Sequence, residues 1–261
     1  MSPTHDTQPT SPSGRRVAFL GATRGMGRAL ARVLAEQGDR LVLLGRDEES
    51  LERSARDLEI RSGLPKSDVG TAFCDLADDE SFAPALQAAT DHLGGLDVVV
   101  VTAGVFFPQE QVEEDVGRAR QVMDLDFTKT VLFCEEARKR LLDSQGGTLC
   151  VFSSVAGDRG RHSVGIYGAA KAGLSRYLEA LDHGYRRRGL VTIDVRPGFV
   201  HTSMTAGLKP PPFAGRPEQV ALQVAKAIRR GTPKIYVPSA WRWVMTVVRN
   251  LPRMAMRRLS F

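Results

Sequence analysis

A chain of 261 residues with 42% hydrophobic and 25% charged residues carries enough apolar surface for a sizeable core, which excludes a disordered or low-complexity protein. No apolar run reaches the roughly 18 residues that a bilayer-spanning helix needs, and the cysteines Cys74, Cys134 and Cys150 are too widely spaced for a disulfide framework or a metal motif, so no metal site is expected. The net charge of +6 is uneven, with five arginines and no acid from Ala240 onward.

Residues 1–14 are rich in Pro, Ser and Thr, hold no apolar run, and are expected to form a disordered tail. Arg16–Leu20 then reads as a strand, followed by a glycine-rich turn, a helix from Met26 to Gln37 closed by Gly38, and a second strand at Arg40–Leu44. The alternation continues with a polar helix over Glu48–Arg61, a strand at Val69–Cys74, a helix at Asp79–Leu93 and a strand at Asp97–Val101. A long helix at Arg118–Asp143, a strand at Thr148–Phe152, a helix at Gly165–Arg188, a strand at Val191–Val195 and a last strand near Lys234–Pro238 complete it. Strands such as Asp97–Val101 and Thr148–Phe152 are apolar on both faces, as in a parallel sheet covered on each side by helices. The expected fold class is therefore α/β, a Rossmann-type doubly wound parallel sheet forming one domain over residues 15–240, with a basic amphipathic segment at 241–261.

The turn after the first strand reads Gly21-Ala22-Thr23-Arg24-Gly25-Met26-Gly27. Glycines there permit a tight turn and close approach of a pyrophosphate, and a helix N-terminus offers free N–H groups to phosphate. The bland reading of such a turn is an ordinary loop, and its place between a strand and a helix favours the functional one. The second strand ends Leu44-Gly45-Arg46, with no acid at the place where one would bond a ribose 2′-hydroxyl. Arg24 and Arg46 suit a 2′-phosphate by their forked geometry, unless both are ordinary surface arginines. NADP(H) is thus the expected cofactor, with NAD(H) as the other candidate. Asp75 and Leu76, at the end of the third strand, fall where an adenine ring would lie.

Tyr167 and Lys171 are four apart on a predicted helix and so share one face, with Ser154 thirteen residues upstream of Tyr167, just past a strand. Together with the glycine-rich turn and Arg196-Pro197-Gly198, this resembles the classical short-chain dehydrogenase/reductases over about residues 15–240. The resemblance implies hydride transfer between a nicotinamide and a carbonyl or secondary alcohol. In it Tyr167 exchanges the proton, Ser154 bonds the carbonyl oxygen, and Lys171 holds the nicotinamide ribose and draws the phenol's pKa down. It also implies cofactor contacts at Ala103, Gly104, Pro197, Gly198, Val200 and Thr202, and a homo-oligomer. Two positions depart from the family. Thr102 replaces an Asn after the fourth strand, and Asp126 stands where the family has a catalytic Asn. A carboxylate there would stabilise the charge of Lys171 and alter the titration of Tyr167.

On a helix starting near Ser239, the residues Trp241, Val244, Met245 and Val248 share a face with arginines elsewhere. That face either rests on anionic lipid or packs over a substrate cleft or a subunit. Nucleic acid is not an expected partner, because no groove-reading motif accompanies the arginines. This segment, with Gly157-Asp158-Arg159-Gly160-Arg161 and the run from Arg196 to Lys209, also resembles the polyprenylphosphoryl 2-keto-pentose reductases of actinobacterial arabinan synthesis. That narrower resemblance implies a lipid-linked keto-sugar substrate and a cytoplasmic protein at the inner face of the membrane. Two other functions stand beside it: a reductase of a soluble ketone, and a nucleotide-binding sensor or scaffold without turnover.

Overall fold

Short apolar strands alternating with amphipathic helices build a seven-stranded parallel sheet in the computed structural model, which describes residues 14–258. The tail expected over residues 1–14 lies, apart from Gly14, outside the described residues, as do the last three residues of the C-terminal segment. The strands are β1 (Arg16–Leu20), β2 (Arg40–Gly45), β3 (Val69–Phe73), β4 (Val98–Val101), β5 (Gly147–Phe152), β6 (Leu190–Pro197) and β7 (Lys234–Val237). Their order is β3-β2-β1-β4-β5-β6-β7, so the winding reverses between β1 and β4. The Rossmann-type architecture read from the alternation is the one observed.

Successive residues of each strand serve opposite cores, as the two-residue period of a strand requires. Val17 and Phe19 of β1, with Leu41 and Leu43 of β2, join a core shared with helices α1 (Gly25–Glu36) and α2 (Glu48–Ser62). Ala18 and Leu20, with Val42 and Leu44, enter the other core, which is covered by α3 (Phe82–Leu93) and later helices. The three cysteines are free and buried, and burial pushes the Cys74 thiol up to about 11. They serve as small apolar core residues.

The helix expected over Arg118–Asp143 is not continuous. A short α4 (Gln109–Glu114) precedes it, and then α5 (Val116–Met123) passes through a π-helical turn at Asp124–Lys129 into α6 (Thr130–Asp143). Thr130 Oγ1 donates to the Leu125 carbonyl at 2.6 Å within this wider turn. A π-turn adds a residue to the turn and rotates the side chains that follow, and this one carries Asp126, which is completely buried.

Beyond α7 (Gly165–Tyr185) lies α8 (Pro217–Arg230), which the strand–helix pattern alone had passed over. Its signals are present in the sequence: Pro217 in the first turn, the buried stripe of Val220, Ala221, Val224, Ala225 and Ile228, and Gly231 in the left-handed conformation as C-cap. It packs in the same core as α1.

The C-terminal segment forms α9 (Trp241–Asn250) and α10 (Arg253–Met256). The expected apolar face exists, and it turns inward: Met245 and Val248 are buried against Val155, with Trp241, Val244 and Tyr236 packed around them. Of the two readings of that face, the structure therefore has the one that packs over a cleft. Trp243 and Val247 remain exposed on the outer side. Among the described residues no helix is long and apolar enough to cross a membrane.

Candidate active site

The reversal of strand order between β1 and β4 opens a crevice at the carboxyl ends of the strands, where the segments following β1, β4, β5 and β6 meet. Two adjoining cavities occupy it, with Met26, Thr102, Gly104, Thr202 and Met204 in both walls.

The first cavity, of about 410 Å³, is lined by Gly21, Thr23, Arg24, Gly25, Met26 and Gly27, facing Ala103, Gly104 and Thr202. A Cβ on Gly27 would stand 2.1 Å from the Gly21 carbonyl oxygen, and one on Gly21 would stand 2.6 Å from the Ala103 nitrogen. Gly21 also has φ +94°, a conformation that side chains disfavour. No side chain caps the N-terminus of α1 and no acid sits in its first turn, so its leading N–H groups and positive end remain available beside the cavity. Glycines that let the turn, α1 and the end of β4 close on one another, beside an uncapped helix start, fit a pyrophosphate. Thr102 Oγ1 donates to the Gly21 carbonyl at 2.9 Å, so this departure from the family pattern keeps β4 tied to the glycine-rich turn.

Arg46, Asp75 and Leu76 line neither cavity. They follow β2 and β3, farther out along the sheet. Leu76 is a core residue, and Asp75 shapes its own turn by accepting from the Ala77 amide at 3.0 Å. Arg24 and Arg46 are both exposed. The neighbouring acid, Asp47, is committed to capping α2 through the Ser50 amide, and that hydrogen bond holds its carboxyl below the usual range.

The second cavity, of about 580 Å³, has mostly apolar walls and brings together Ser154, Tyr167, Lys171 and Asp126 with Pro197, Gly198, Val200 and Thr202. Ser154 begins a 3-10 turn just after β5 and its Oγ accepts from the Ala156 amide at 3.1 Å. Tyr167 and Lys171 lie one turn apart on α7, with the ammonium 5.7 Å from the phenol ring centre. Phe106 meets the Tyr167 ring edge-on at 5.2 Å. Gly198 leaves room for the roof of this cavity, since a Cβ there would lie 2.2 Å from the Trp241 indole. That indole donates to the Phe213 carbonyl at 3.1 Å.

Asp126 Oδ1 accepts from Lys171 Nζ at 3.0 Å and from the Val105 amide at 3.2 Å, while Oδ2 is buried with no hydrogen-bond partner among the described residues. Gly104 makes this approach feasible, because a Cβ there would stand 2.3 Å from Oδ1. Burial raises the Asp126 carboxyl, with Lys171 pulling against it. Burial works against the charge of Lys171, but Asp126 and then Tyr167 outweigh it and the ammonium's pKa is raised. Lys171 does draw the phenol down, as expected, but the net shift is upward. Burial pushes Tyr167 up, Lys171 pulls it down, Asp126 pushes it up again, and the Ser154 hydrogen bond lowers it, with the balance above the ordinary value. Burial is the largest cause of that rise, and Asp126 offsets part of the field that Lys171 exerts.

A buried charge network missed in the sequence underlies the site. Arg196, on β6, pairs with Asp194 at 2.7 Å and with Asp158. Tyr236 Oη donates to Asp158 at 2.8 Å and Ser153 donates to Asp194. Asp158 closes the turn that Ser154 opens, so the network sets the position of that turn. Only Asp194, two residues before Arg196 on the same strand, hinted at it.

A family model described as short chain dehydrogenase matches residues 15–212. An uncharacterized oxidoreductase of Streptomyces coelicolor is 35% identical, covering 96% of this chain and 99% of that protein. The cis-4-hydroxycyclohexanecarboxylate dehydrogenase of Sinomonas cyclohexanicum is 31% identical, covering 80% of this chain and 88% of that protein. A structure of a variant actinorhodin polyketide ketoreductase with NADPH superposes with a TM-score of 0.76 at 23% identity, over 87% of this chain and 97% of that one.

Proposed function

Because the chain belongs to the short-chain dehydrogenase/reductase family and is an oxidoreductase, we propose that it reduces the carbonyl of a hydrophobic substrate with NADP(H), Tyr167 giving the proton. The observation that carries this reading is the meeting of Ser154, Tyr167 and Lys171 in one apolar cavity that adjoins the glycine cradle.

The residues that would hold the cofactor are Gly21, Thr23, Arg24, Gly25, Met26 and Gly27 around the pyrophosphate and Arg24 with Arg46 at a 2′-phosphate. Asp75 and Leu76 would lie near the adenine, and Ala103, Gly104, Tyr167, Lys171, Pro197, Gly198, Val200 and Thr202 toward the nicotinamide end. When bound in its reduced form, the nicotinamide supplies a hydride to the carbonyl carbon and is itself oxidised. Tyr167 Oη donates its proton to the carbonyl oxygen, so that C=O becomes CH–OH. A phenol held above its ordinary pKa is protonated at neutral pH and ready for that transfer. Ser154 Oγ donates a hydrogen bond to the same oxygen as negative charge develops there. Lys171 offers its ammonium to a ribose and, by its field, to the phenolate left on Tyr167. Asp126 fixes the ammonium in place and keeps it charged. The substrate in the name of one relative, a hydroxycyclohexanecarboxylate, agrees with an alicyclic carbonyl compound. A lipid-linked substrate, and contact with a membrane while it is taken up, are favoured by Met204, Leu208 and Phe213, which line the cavity and are also exposed at its edge.

Cofactor choice tests the reading. Arg46→Ala is expected to weaken NADPH about 10- to 100-fold, the loss of one charge-assisted pair, while NADH changes little. Fluorescence quenching titrations of both variants with both cofactors measure this, and equal weakening of the two would remove the 2′-phosphate assignment. Asp126→Asn tests the proton chemistry. Removing the carboxylate removes an influence that raises Tyr167, so in the alcohol-oxidising direction, which needs the phenolate, the rising limb of kcat/KM moves to lower pH. A limb that stays in place or moves upward contradicts the role given to Asp126.

A further inference from the structure

The charged residues in the wall of the 580 Å³ cavity are Asp126, Lys171, Arg161 and Lys209. Asp126 and Lys171 offset each other, and Lys209 is exposed at the rim. Arg161 is partly buried in a wall made largely of apolar side chains, and lies between Ser154 and Tyr167 in sequence.

Its position is secured from both sides. Three residues earlier, Asp158 is held by Arg196 and by the Tyr236 hydroxyl. Two residues earlier, Arg159 Nη2 donates to the Leu251 carbonyl at 2.7 Å and ties the segment to the end of α9. After it, a 3-10 turn at His162–Val164 leads directly into α7. The guanidinium is thus carried by a braced segment, and braced segments give recognition groups their precision. Arg161 also lines another cavity, of about 460 Å³, together with Arg257, Arg258, Glu110 and Glu113. Burial lowers the Arg161 pKa while Asp158 works the other way. The group stays charged at neutral pH, since guanidinium does not deprotonate in proteins. A partly dehydrated guanidinium gains more from a bidentate oxyanion than one in open water does.

We propose that Arg161 recognises an anionic group on the substrate, so that the cavity takes an amphipathic anion: an apolar body carrying the carbonyl toward Tyr167 and a carboxylate or phosphate toward Arg161. This rests on the reading of the cavity as a carbonyl-reducing site and names its substrate class.

The test uses the full chain with NADPH and two probes of equal size and opposite character, γ-benzoylbutyrate and its methyl ester, with the matching ketone phosphate monoester as a third. Calorimetric binding and steady-state turnover are both measured. The acids are expected to bind at least about 10-fold better than the ester, through KM rather than kcat, and Arg161→Gln is expected to erase that preference while leaving the ester unchanged. Arg161→Lys, which keeps the charge, retains part of it. A larger advantage for the phosphate identifies a phosphorylated substrate, and a larger one for the carboxylate a keto acid. Equal binding of acid and ester by the wild type, binding of neither, or equal losses in Arg161→Gln for acid and ester would overturn the proposal. Arg161-dependent binding of the acids without turnover would leave it standing and defeat the carbonyl-reducing reading instead.

Discussion

Replacing Tyr167 by Phe is expected to lower turnover about 100- to 10,000-fold, the usual worth of a positioned acid–base group, with NADPH and NADH binding largely retained. The substitution removes a single oxygen. The ring keeps its edge-on packing against Phe106 at 5.2 Å, and Lys171 keeps its pair with Asp126 at 3.0 Å, so neither the wall of the cavity nor the cofactor side of the site is disturbed. What disappears is, among the described residues, the only phenol in the wall of the 580 Å³ cavity, a group that burial keeps protonated at neutral pH. Ser154 would remain to polarise the carbonyl oxygen, and its hydroxyl is too weak an acid to replace the phenol, which accounts for a residual rate above zero. Single-turnover measurement of NADPH oxidation with a saturating ketone separates this step from product release. A Tyr167→Phe rate within about tenfold of wild type would end the assignment of Tyr167 as proton donor.

Arg196→Met is expected to cost about 3–5 kcal/mol of stability, because it strands two buried carboxylates that now share one guanidinium. For a domain of this size that corresponds to a fall in Tm of roughly 6–20 °C. The Arg196 side chain is 12% exposed and those of Asp158 and Asp194 are 1% and 6% exposed, so solvent cannot take over the role of the missing cation. Burial works against the Arg196 charge, yet Asp194 and Asp158 outweigh it and raise its pKa, as expected for a guanidinium between two acids. Methionine keeps the apolar stem and so isolates the loss of charge. Restoring the balance with Asp158→Asn in the same chain should recover part of the stability, because a neutral amide can still accept from Tyr236. Urea unfolding at neutral pH checks both variants, and a loss below about 1 kcal/mol would mean that the network is hydrated. Because Asp158 ends the turn that Ser154 begins, activity should fall with stability in Arg196→Met and return with it in the double variant.

The sequence by itself determined the parallel sheet, the glycine-rich turn and the grouping of Ser154, Tyr167 and Lys171, because each of these is written in local periods. Apolar strands four to eight residues long, glycines where a Cβ would collide, and a Tyr–Lys pair one helical turn apart all act over distances that a short window of chain contains. The substitution of Asp126 was also visible, and so was its consequence for Lys171, since both follow from charge. Four features were decided only by tertiary structure. The π-turn at Asp124–Lys129, hidden in a pattern that reads as one long helix, turns Asp126 fully inward against Lys171. The pKa of Tyr167 rises rather than falls, because burial depends on elements as distant as Phe106 and Asp126. The apolar face of α9 fitted lipid and cleft equally well until Met245 and Val248 were seen against Val155 and Trp241 against Gly198. The segment that carries Arg161 and the Arg196 network are tied down by contacts between residues 38 to 92 positions apart. The physical reason is the same in each case: a periodic pattern specifies which face of an element is apolar, while the partner that covers the face, and the dielectric it creates for a charge nearby, come from segments far off in the chain.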